Sequence, residues 1–290
     1  APDGSAEGLV TGYYEPILPA VTEADAIGQI RKLTRTLKSE LGADARGLWL
    51  TERVWEPHLP RVLRAAGVEY TVVDDAHFLR VGIPVERLDG YYLTEDGGEA
   101  VAVFPISQSL RYQIPFAPPE QVIDSLRQAA TEGGDRLLVM MDDGEKFGVW
   151  PDTHGLVYGE RWLERFFAAL EGARDWLTTT TFAAYRAAHG PRGRVYLPTA
   201  SYEEMMGWAR GTWRTFLVRY PESNHLHKRV LALSRRLFDL PPGAGRARAL
   251  DELWQAQCNC AYWHGVFGGL YLPHLRSALY RHLIAAEAQA

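Results

Sequence analysis

The chain has 290 residues, 47% of them apolar and 23% charged, and its 31 Lys and Arg stand against 36 Asp and Glu for a net charge of −5. That length suits one large barrel or two domains with a substantial core. The acidic balance, with no basic patch to neutralise phosphates, excludes a nucleic-acid partner, and no window approaches the ~18 apolar residues of a membrane span.

In chain order, Tyr13-Tyr14-Glu15-Pro16 leads into a helical periodicity over Glu23–Leu41, which Gly42 stops. A short strand over Leu48–Leu50 and a helix over Leu59–Ala66, closed by Gly67, follow. Tyr70–Val73 is β-branched and aromatic and runs into Asp74-Asp75; Tyr91–Leu93 and Ala100–Phe104 flank Glu95-Asp96-Gly97-Gly98 as a hairpin. Pro118 and Pro119 open a helix reaching Ala130, Leu137–Met141 reads as a buried strand, and Arg161–Leu170 as a helix. Strands alternating with helices imply a mostly parallel sheet with crossovers. The character changes near Arg192–Pro198, and from Ser201 onward the pattern is helical, interrupted at Pro241–Gly245. The expectation is therefore an α/β class chain, barrel-like over residues 1–195, with an all-α bundle over 196–290.

Two stretches carry the chemistry. Gly47–Glu52 (GLWLTE) and Met141–Pro151 (MDDGEKFGVWP) each run from an apolar strand into carboxylates beside a tryptophan. Barrels place their chemistry at the C-terminal ends of strands, and a pair of carboxylates from two strands can flank a glycosidic bond. Glu52 then reads as a nucleophile and Asp143 as a general acid raised by burial and by Asp142 and Glu145. The plain structural roles are helix capping, pairing of Glu52 with Arg53, and an acidic turn. Asp74, Asp75 and His77 invite a metal reading, although no H-x-x-x-H or H-E-x-x-H partner exists. Tyr262-Trp263-His264 could form an aromatic platform with a histidine donor, or a helix contact eased by Gly265, Gly268 and Gly269. Cys258 and Cys260 are spaced too closely for an unstrained mutual disulfide and are expected as buried thiols in a reducing, cytoplasmic setting.

Taken together, these segments resemble family 57 of the glycoside hydrolases, in its 4-α-glucanotransferase and α-amylase branch. The likeness runs through Glu7 and Gly12–Leu18 (GYYEPIL), Gly47–Pro57 (GLWLTERVWEP), Asp142–Pro151 (DDGEKFGVWP) and Tyr262–Arg276 (YWHGVFGGLYLPHLR), with Tyr70–Phe78 and Phe104–Phe116 between them. The resemblance implies an incomplete (β/α)7 barrel followed by a helical bundle closing over the cleft. It implies Glu52 as nucleophile and Asp143 as acid/base, with Glu7, Trp49, Asp75, Glu145, Trp150, Trp263 and His264 lining the sugar subsites. The implied substrate is an α-1,4-glucan or maltooligosaccharide, processed with retention, without a cofactor or metal; a homodimer is compatible with it.

The sequence departs from the family pattern in three places. The family's histidine-rich first region is missing ahead of Glu7, Asn259-Cys260 stands where Asn-Asp is frequent, and no β-sandwich pattern follows Arg276. The expectation is a middle portion of a longer enzyme, with reduced binding or activity. The alternatives are an α-amylase, a non-catalytic glucan-binding fragment, and a metal-dependent deacetylase- or mannosidase-like hydrolase.

Overall fold

The structure is a computed structural model and describes residues 6–290. Its first part consists of β1 (Leu9–Val10), α1 (Glu23–Leu41), β2 (Gly47–Trp49), α2 (Leu59–Ala66), β3 (Tyr70–Asp74), α3 (Asp75–Leu79), β4 (Tyr92–Asp96), β5 (Glu99–Ile106), α4 (Gln108–Gln113), α5 (Pro119–Ala129), α6 (Trp162–Gly172), α7 (Phe182–Ala188) and β6 (Gly193–Arg194). The remainder is helical: α8 (Glu203–Ala209), α9 (Thr215–Arg219), α10 (Pro221–Asp239), α11 (Ala244–Gln255) and α12 (Pro273–Ala288). The mixed α/β class and the helical continuation agree with the sequence pattern.

The sheet order is β1-β2-β3-β5-β4-β6. β1, β2, β3 and β5 run parallel, while β4 returns antiparallel to β5 through the expected hairpin. Parallel strands put their C-terminal ends on one rim, which collects Thr51–Arg53, Asp74 and Ser107 there. The stretch 137–141 is reduced to a single parallel bridge, Ile106↔Val139, rather than a full strand. It meets only the last residue of β5, and the Ser107 amide donates to the Val139 carbonyl at 2.8 Å.

One face of the sheet packs Leu48, Leu50, Val73, Val101 and Val103 under α1 and α2. The other gathers Tyr70, Val72, Phe104 and Tyr185, with Trp49 and Met141 at its margin. Helix α1 begins on Thr22, whose hydroxyl accepts from the Asp25 amide at 3.2 Å, and ends on Gly42 in the left-handed region at φ 66°. Gly47 is required by close packing, since a Cβ there would stand 2.2 Å from the Tyr70 ring.

The helical part is joined to the barrel by a buried polar knot at the start of α1. Asp25 is fully buried, and it accepts from Ser234 Oγ at 2.6 Å, Trp254 Nε1 at 2.9 Å and Gln257 Nε2 at 2.9 Å. Gln29 on the next turn of α1 donates to Gln257 at 2.8 Å and accepts from the Tyr14 amide at 2.9 Å. Buried donors left without partners cost about 1–3 kcal/mol each. The Asp25→Ala variant is therefore expected to lose about 3 kcal/mol or more of unfolding free energy, measured by urea denaturation. A change below about 0.5 kcal/mol would show that the knot is dispensable.

Candidate active site

Glu52 lies just beyond β2 in a tight turn over Thr51–Arg53. Both Glu52 (φ 53°) and Arg53 (φ 46°) adopt the left-handed region that side chains disfavour. Such strain costs about 1–3 kcal/mol per residue and persists where the surroundings hold it. Here the hold comes from the segment entering α8. Trp55 bridges Ala200, Ser201 Oγ donates to the Glu52 carbonyl at 2.5 Å, and Tyr202 Oη donates to Glu52 Oε2 at 2.7 Å. Burial pushes the Glu52 carboxyl up; the Arg53 charge and the Tyr202 bond pull it down, and Asp143 and Glu15 push it up again, for a net rise.

Asp143 reaches the same neighbourhood from the other side of the rim. Its charge acts on Glu52, Arg53 and Tyr202. Its own carboxyl is also raised, chiefly by burial, which Arg53 opposes while Asp142 and Glu145 add to it. Asp143 and Glu52, 91 residues apart in sequence, thus share one electrostatic site.

What brings them together is a line of buried charges. Arg53 Nε donates to Asp74 Oδ2 at 3.1 Å, and Arg111 Nη1 donates to Asp74 Oδ1 at 2.6 Å. Arg111 Nε then donates to Asp142 Oδ2 at 3.3 Å, and Lys146 Nζ donates to the same oxygen at 2.7 Å. Every side chain in the line is at most 8% exposed. Burial works against ionisation of Asp142, but the Lys146 bond and the Arg111 charge outweigh it and hold the carboxyl below its usual range. Its other oxygen, Oδ1, accepts from the Asp143 amide at 3.0 Å, which fixes the backbone carrying the acid.

The remaining expected subsite residues divide. Trp49 lies beneath the rim with its ring 4.9 Å from the Arg53 guanidinium. Glu145 is exposed beside Asp143, and Trp150 presents an exposed ring 5.9 Å from Lys146 Nζ, near Phe116. Glu7 is a correction. It precedes β1, at the end of the sheet opposite Glu52, and accepts from the Ala183 amide at 3.2 Å. The strand after it is only Leu9–Val10, so the carboxylate that reaches the rim is Glu15, not Glu7. Asp75 is another correction: buried, it accepts from the Gln108 amide at 3.0 Å and caps α4. Trp263 is 3% exposed, stacks on Trp208 with ring centres 6.1 Å apart and donates to Asn259 Oδ1 at 2.7 Å, so it is core rather than platform. His264 Nε2 is engaged with Tyr220 Oη at 2.7 Å in an aromatic cluster with Phe216 and Tyr271.

The metal reading fails on its own donors. Asp74 is held by two arginines, Asp75 by the Gln108 amide, and the two His77 ring nitrogens lie 3.0 and 3.1 Å from the Asp74 and Arg53 carbonyl oxygens. No group of three potential metal-binding side chains occurs among the described residues. Nor are both thiols buried as expected: Cys258 is exposed and Cys260 half-buried. A 630 Å³ apolar cavity lies elsewhere, between α5 and α6 and lined by Leu126, Leu138 and Phe166, without any of the rim carboxylates.

Sequence reasoning missed Glu15, Arg111, Tyr202 and Trp208. Glu15 (φ 51°) is raised by burial and by the charges of Asp143 and Glu145, which places it with the pair. Its signal was available, because a carboxylate following an apolar pair at a strand end is the pattern that found Glu52. Trp208 meets Tyr202 edge-on at 6.2 Å and is half-buried. Nothing in the sequence around Tyr202 or Trp208 separates them from packing aromatics.

A model of "Glycosyl hydrolase family 57" matches residues 2–198, and one of "Alpha-amylase/4-alpha-glucanotransferase, middle domain" matches residues 211–290. The chain is 45% identical over 314 residues to a protein of Dictyoglomus thermophilum named Alpha-amylase 1, covering 98% of this chain and 46% of that one. It is 42% identical to a 4-alpha-glucanotransferase of Thermococcus litoralis, covering 98% and 46%. The crystal structure of 4-alpha-glucanotransferase from Thermococcus litoralis superposes with a TM-score of 0.91 at 43% identity, covering 97% of this chain and 48% of that one. The alpha-amylase AmyC from Thermotoga maritima shares the fold at a TM-score of 0.69 and 15% identity, over 99% of this chain and 67% of that one. The chain spans about half the length of the curated relatives it matches.

Removing the central anion of the charge line takes the ion-pair partner from the buried Arg53 guanidinium and leaves Arg111 with Asp142 alone, and breaking a buried pair in this way costs about 3–5 kcal/mol. The Asp74→Asn variant is expected to lose that much unfolding free energy in denaturant titration, a far larger effect than a surface Asp→Asn change would give.

Proposed function

The chain belongs to glycosyl hydrolase family 57, and from that premise we propose that it carries the catalytic centre of a retaining enzyme acting on α-1,4-glucans, a 4-α-glucanotransferase. The observation that supports the reading is the convergence of Glu52 and Asp143 at one rim, both held above the usual carboxylate range by burial. The second reading, an α-amylase, uses the same groups with water in place of the acceptor sugar, and relatives carry both names.

In the proposed reaction, protonated Asp143 donates to the glycosidic oxygen while the Glu52 carboxylate attacks the anomeric carbon. The leaving sugar departs with that proton, and a glycosyl ester remains on Glu52. Asp143, now a carboxylate, takes the proton of an acceptor hydroxyl as that oxygen attacks the ester and releases Glu52. Tyr202 orients the nucleophile through its 2.7 Å hydrogen bond, and the Arg53 cation favours its ionised form. Transfer requires a bound sugar hydroxyl to outcompete water, and exposed rings such as Trp150 would hold an acceptor in line. Two free thiols fit a reducing, cytoplasmic setting for this chemistry.

Asp143→Asn is expected to lower turnover of maltoheptaose by about 100- to 10 000-fold, the range for loss of a general acid. Glu52→Gly is expected to be inactive on glucan, with azide restoring turnover of activated α-glucosyl fluoride by taking the nucleophile's place. Activity left intact in either variant would overturn the assignment. Chromatography of the maltoheptaose products separates the two readings: longer and shorter oligomers mean transfer, and shorter ones alone mean hydrolysis.

The pH profile gives an independent check. The rate needs Glu52 ionised and Asp143 protonated, so it is bell-shaped, with Glu52 setting the acid limb. The Tyr202 bond lowers the Glu52 pKa. Tyr202→Phe therefore moves the acid limb to higher pH and leaves the alkaline limb in place. A shift of the alkaline limb alone would mean that Tyr202 serves Asp143 instead.

A further inference from the structure

His77 is fully buried behind the turn that carries Glu52, and none of the reaction steps above uses it. Three backbone carbonyls surround its ring, those of Asp74, Arg53 and Ala200. Nδ1 lies 3.0 Å from the Asp74 oxygen, and Nε2 lies 3.1 Å from the Arg53 oxygen. Burial opposes a second proton on the ring and outweighs Asp74 and the carbonyls, which favour one. The ring is therefore neutral, with a proton on one nitrogen and a lone pair on the other. The three carbonyls differ in what else serves them. Ala200 already accepts from the Trp55 amide at 2.8 Å. Asp74 precedes α3, and a residue in that place gives its carbonyl to the first turn of the helix. Among the described residues no backbone amide donates to the Arg53 carbonyl, and Arg53 is 2% exposed. A buried carbonyl without a donor is costly, so the proton belongs on Nε2.

We propose that His77 is a positioning residue for the nucleophile, its Nε2–H donating to the Arg53 carbonyl and thereby holding Glu52 against Tyr202. Glu52 and Arg53 are both in the left-handed region, and a side chain answers the carbonyl of each. Ser201 Oγ serves that of Glu52 from the helical part, and His77 serves that of Arg53 from α3. The peptide after Arg53 then cannot rotate without giving up its buried donor. With that donor gone, rotation relieves the strain at Arg53, and Glu52 on the preceding residue moves away from Tyr202. The 2.7 Å bond from Tyr202, which lowers the Glu52 pKa, goes with it. The groups facing Glu52 are Arg53 on its own turn, Tyr202 at the start of α8, Asp143, Glu15 and Cys260. Of these Tyr202 is tied to its carboxylate by a hydrogen bond, while the charged groups act across space. The role in turnover rests on the proposed glucan chemistry; the hydrogen bond does not.

Nitrogen-15 NMR of the full chain reads the tautomer without reference to activity, the His77 ring being assigned by its loss in His77→Gln. A protonated Nε2 and a bare Nδ1 are expected, and a bare Nε2 overturns the proposal. Two variants then separate the hydrogen bond from the filling of space. Gln sets an amide N–H near the place of Nε2, and Asn sets one near the place of Nδ1. In His77→Asn, kcat on maltoheptaose is expected to fall about 10- to 100-fold, as for a slightly misplaced reacting group, with KM within about twofold. His77→Gln is expected to keep kcat within about threefold of the parent. His77→Asn also moves the acid limb of the pH profile to higher pH, as Tyr202→Phe does, and His77→Gln leaves it in place. Both changes act through one bond, so His77→Asn combined with Tyr202→Phe shifts the limb no further than Tyr202→Phe alone. Equal losses in the two variants, or a lower kcat with the acid limb unmoved, as a loss of folded protein gives, overturns the role. Shifts that add in the double variant overturn it too. If the parent itself does not turn over maltoheptaose, the glucan reading fails instead. The hydrogen bond is then judged by the ring nitrogens alone, and a bare Nε2 overturns it.

Discussion

The arrangement at the rim depends on the buried line Arg53–Asp74–Arg111–Asp142–Lys146. Two members of the line are covalently next to a proposed catalytic carboxylate: Arg53 follows Glu52, and Asp142 precedes Asp143. Buried charge networks contribute little net stability relative to well-packed apolar side chains. What this one supplies is registry, because no link can move without exposing an unpaired charge at a cost of several kcal/mol. Three cations against two anions also leave one positive charge in surplus, placed among Glu15, Glu52, Asp143 and Glu145. That surplus offsets part of the mutual repulsion of four carboxylates gathered at low dielectric.

The helical part completes the site rather than merely covering it. Ser201 and Tyr202 hold the main chain and carboxylate of Glu52, and Asn259 holds the main chain of Glu15. The Asp25 knot anchors α10, α11 and the residues just after α11 to α1. Two consecutive residues in the left-handed region would relax in an isolated turn. They are kept here because Trp55 and Ala200 bridge directly behind them and His77 faces the Arg53 carbonyl from the core. The strain at Glu52 and the packing of the helical part are thus two sides of one constraint.

The same elements explain why the fold gathers some of the residues that the family resemblance named and separates others. Motif matching carries a residue to a chain position, whereas the strand direction decides which end of the sheet that position occupies. Glu7 and Glu15 both flank the two residues of β1, and only the one on the C-terminal side reaches the cleft. Trp263 and Trp208 stack as a pair, and the one without a motif is the one left half-exposed. Asp75 is an acid at a strand end, as Glu52 is, but the α4 amide consumes it.

The sequence by itself determined the class of fold, the order of its main elements and the two strand-end acids. Those follow from local period, turn residues and composition, which are written along the chain. It could not show α3, α4 or α7, which are too short for a periodicity to register, or the collapse of 137–141 to one bridge. It could not assign Arg111, Tyr202 and Glu15 to the site, because their roles come from partners 31 to 150 residues away or from the direction of a two-residue strand. Tertiary structure alone decided these, since burial and the pairing of charges depend on which segments meet, and only the folded rim brings them together.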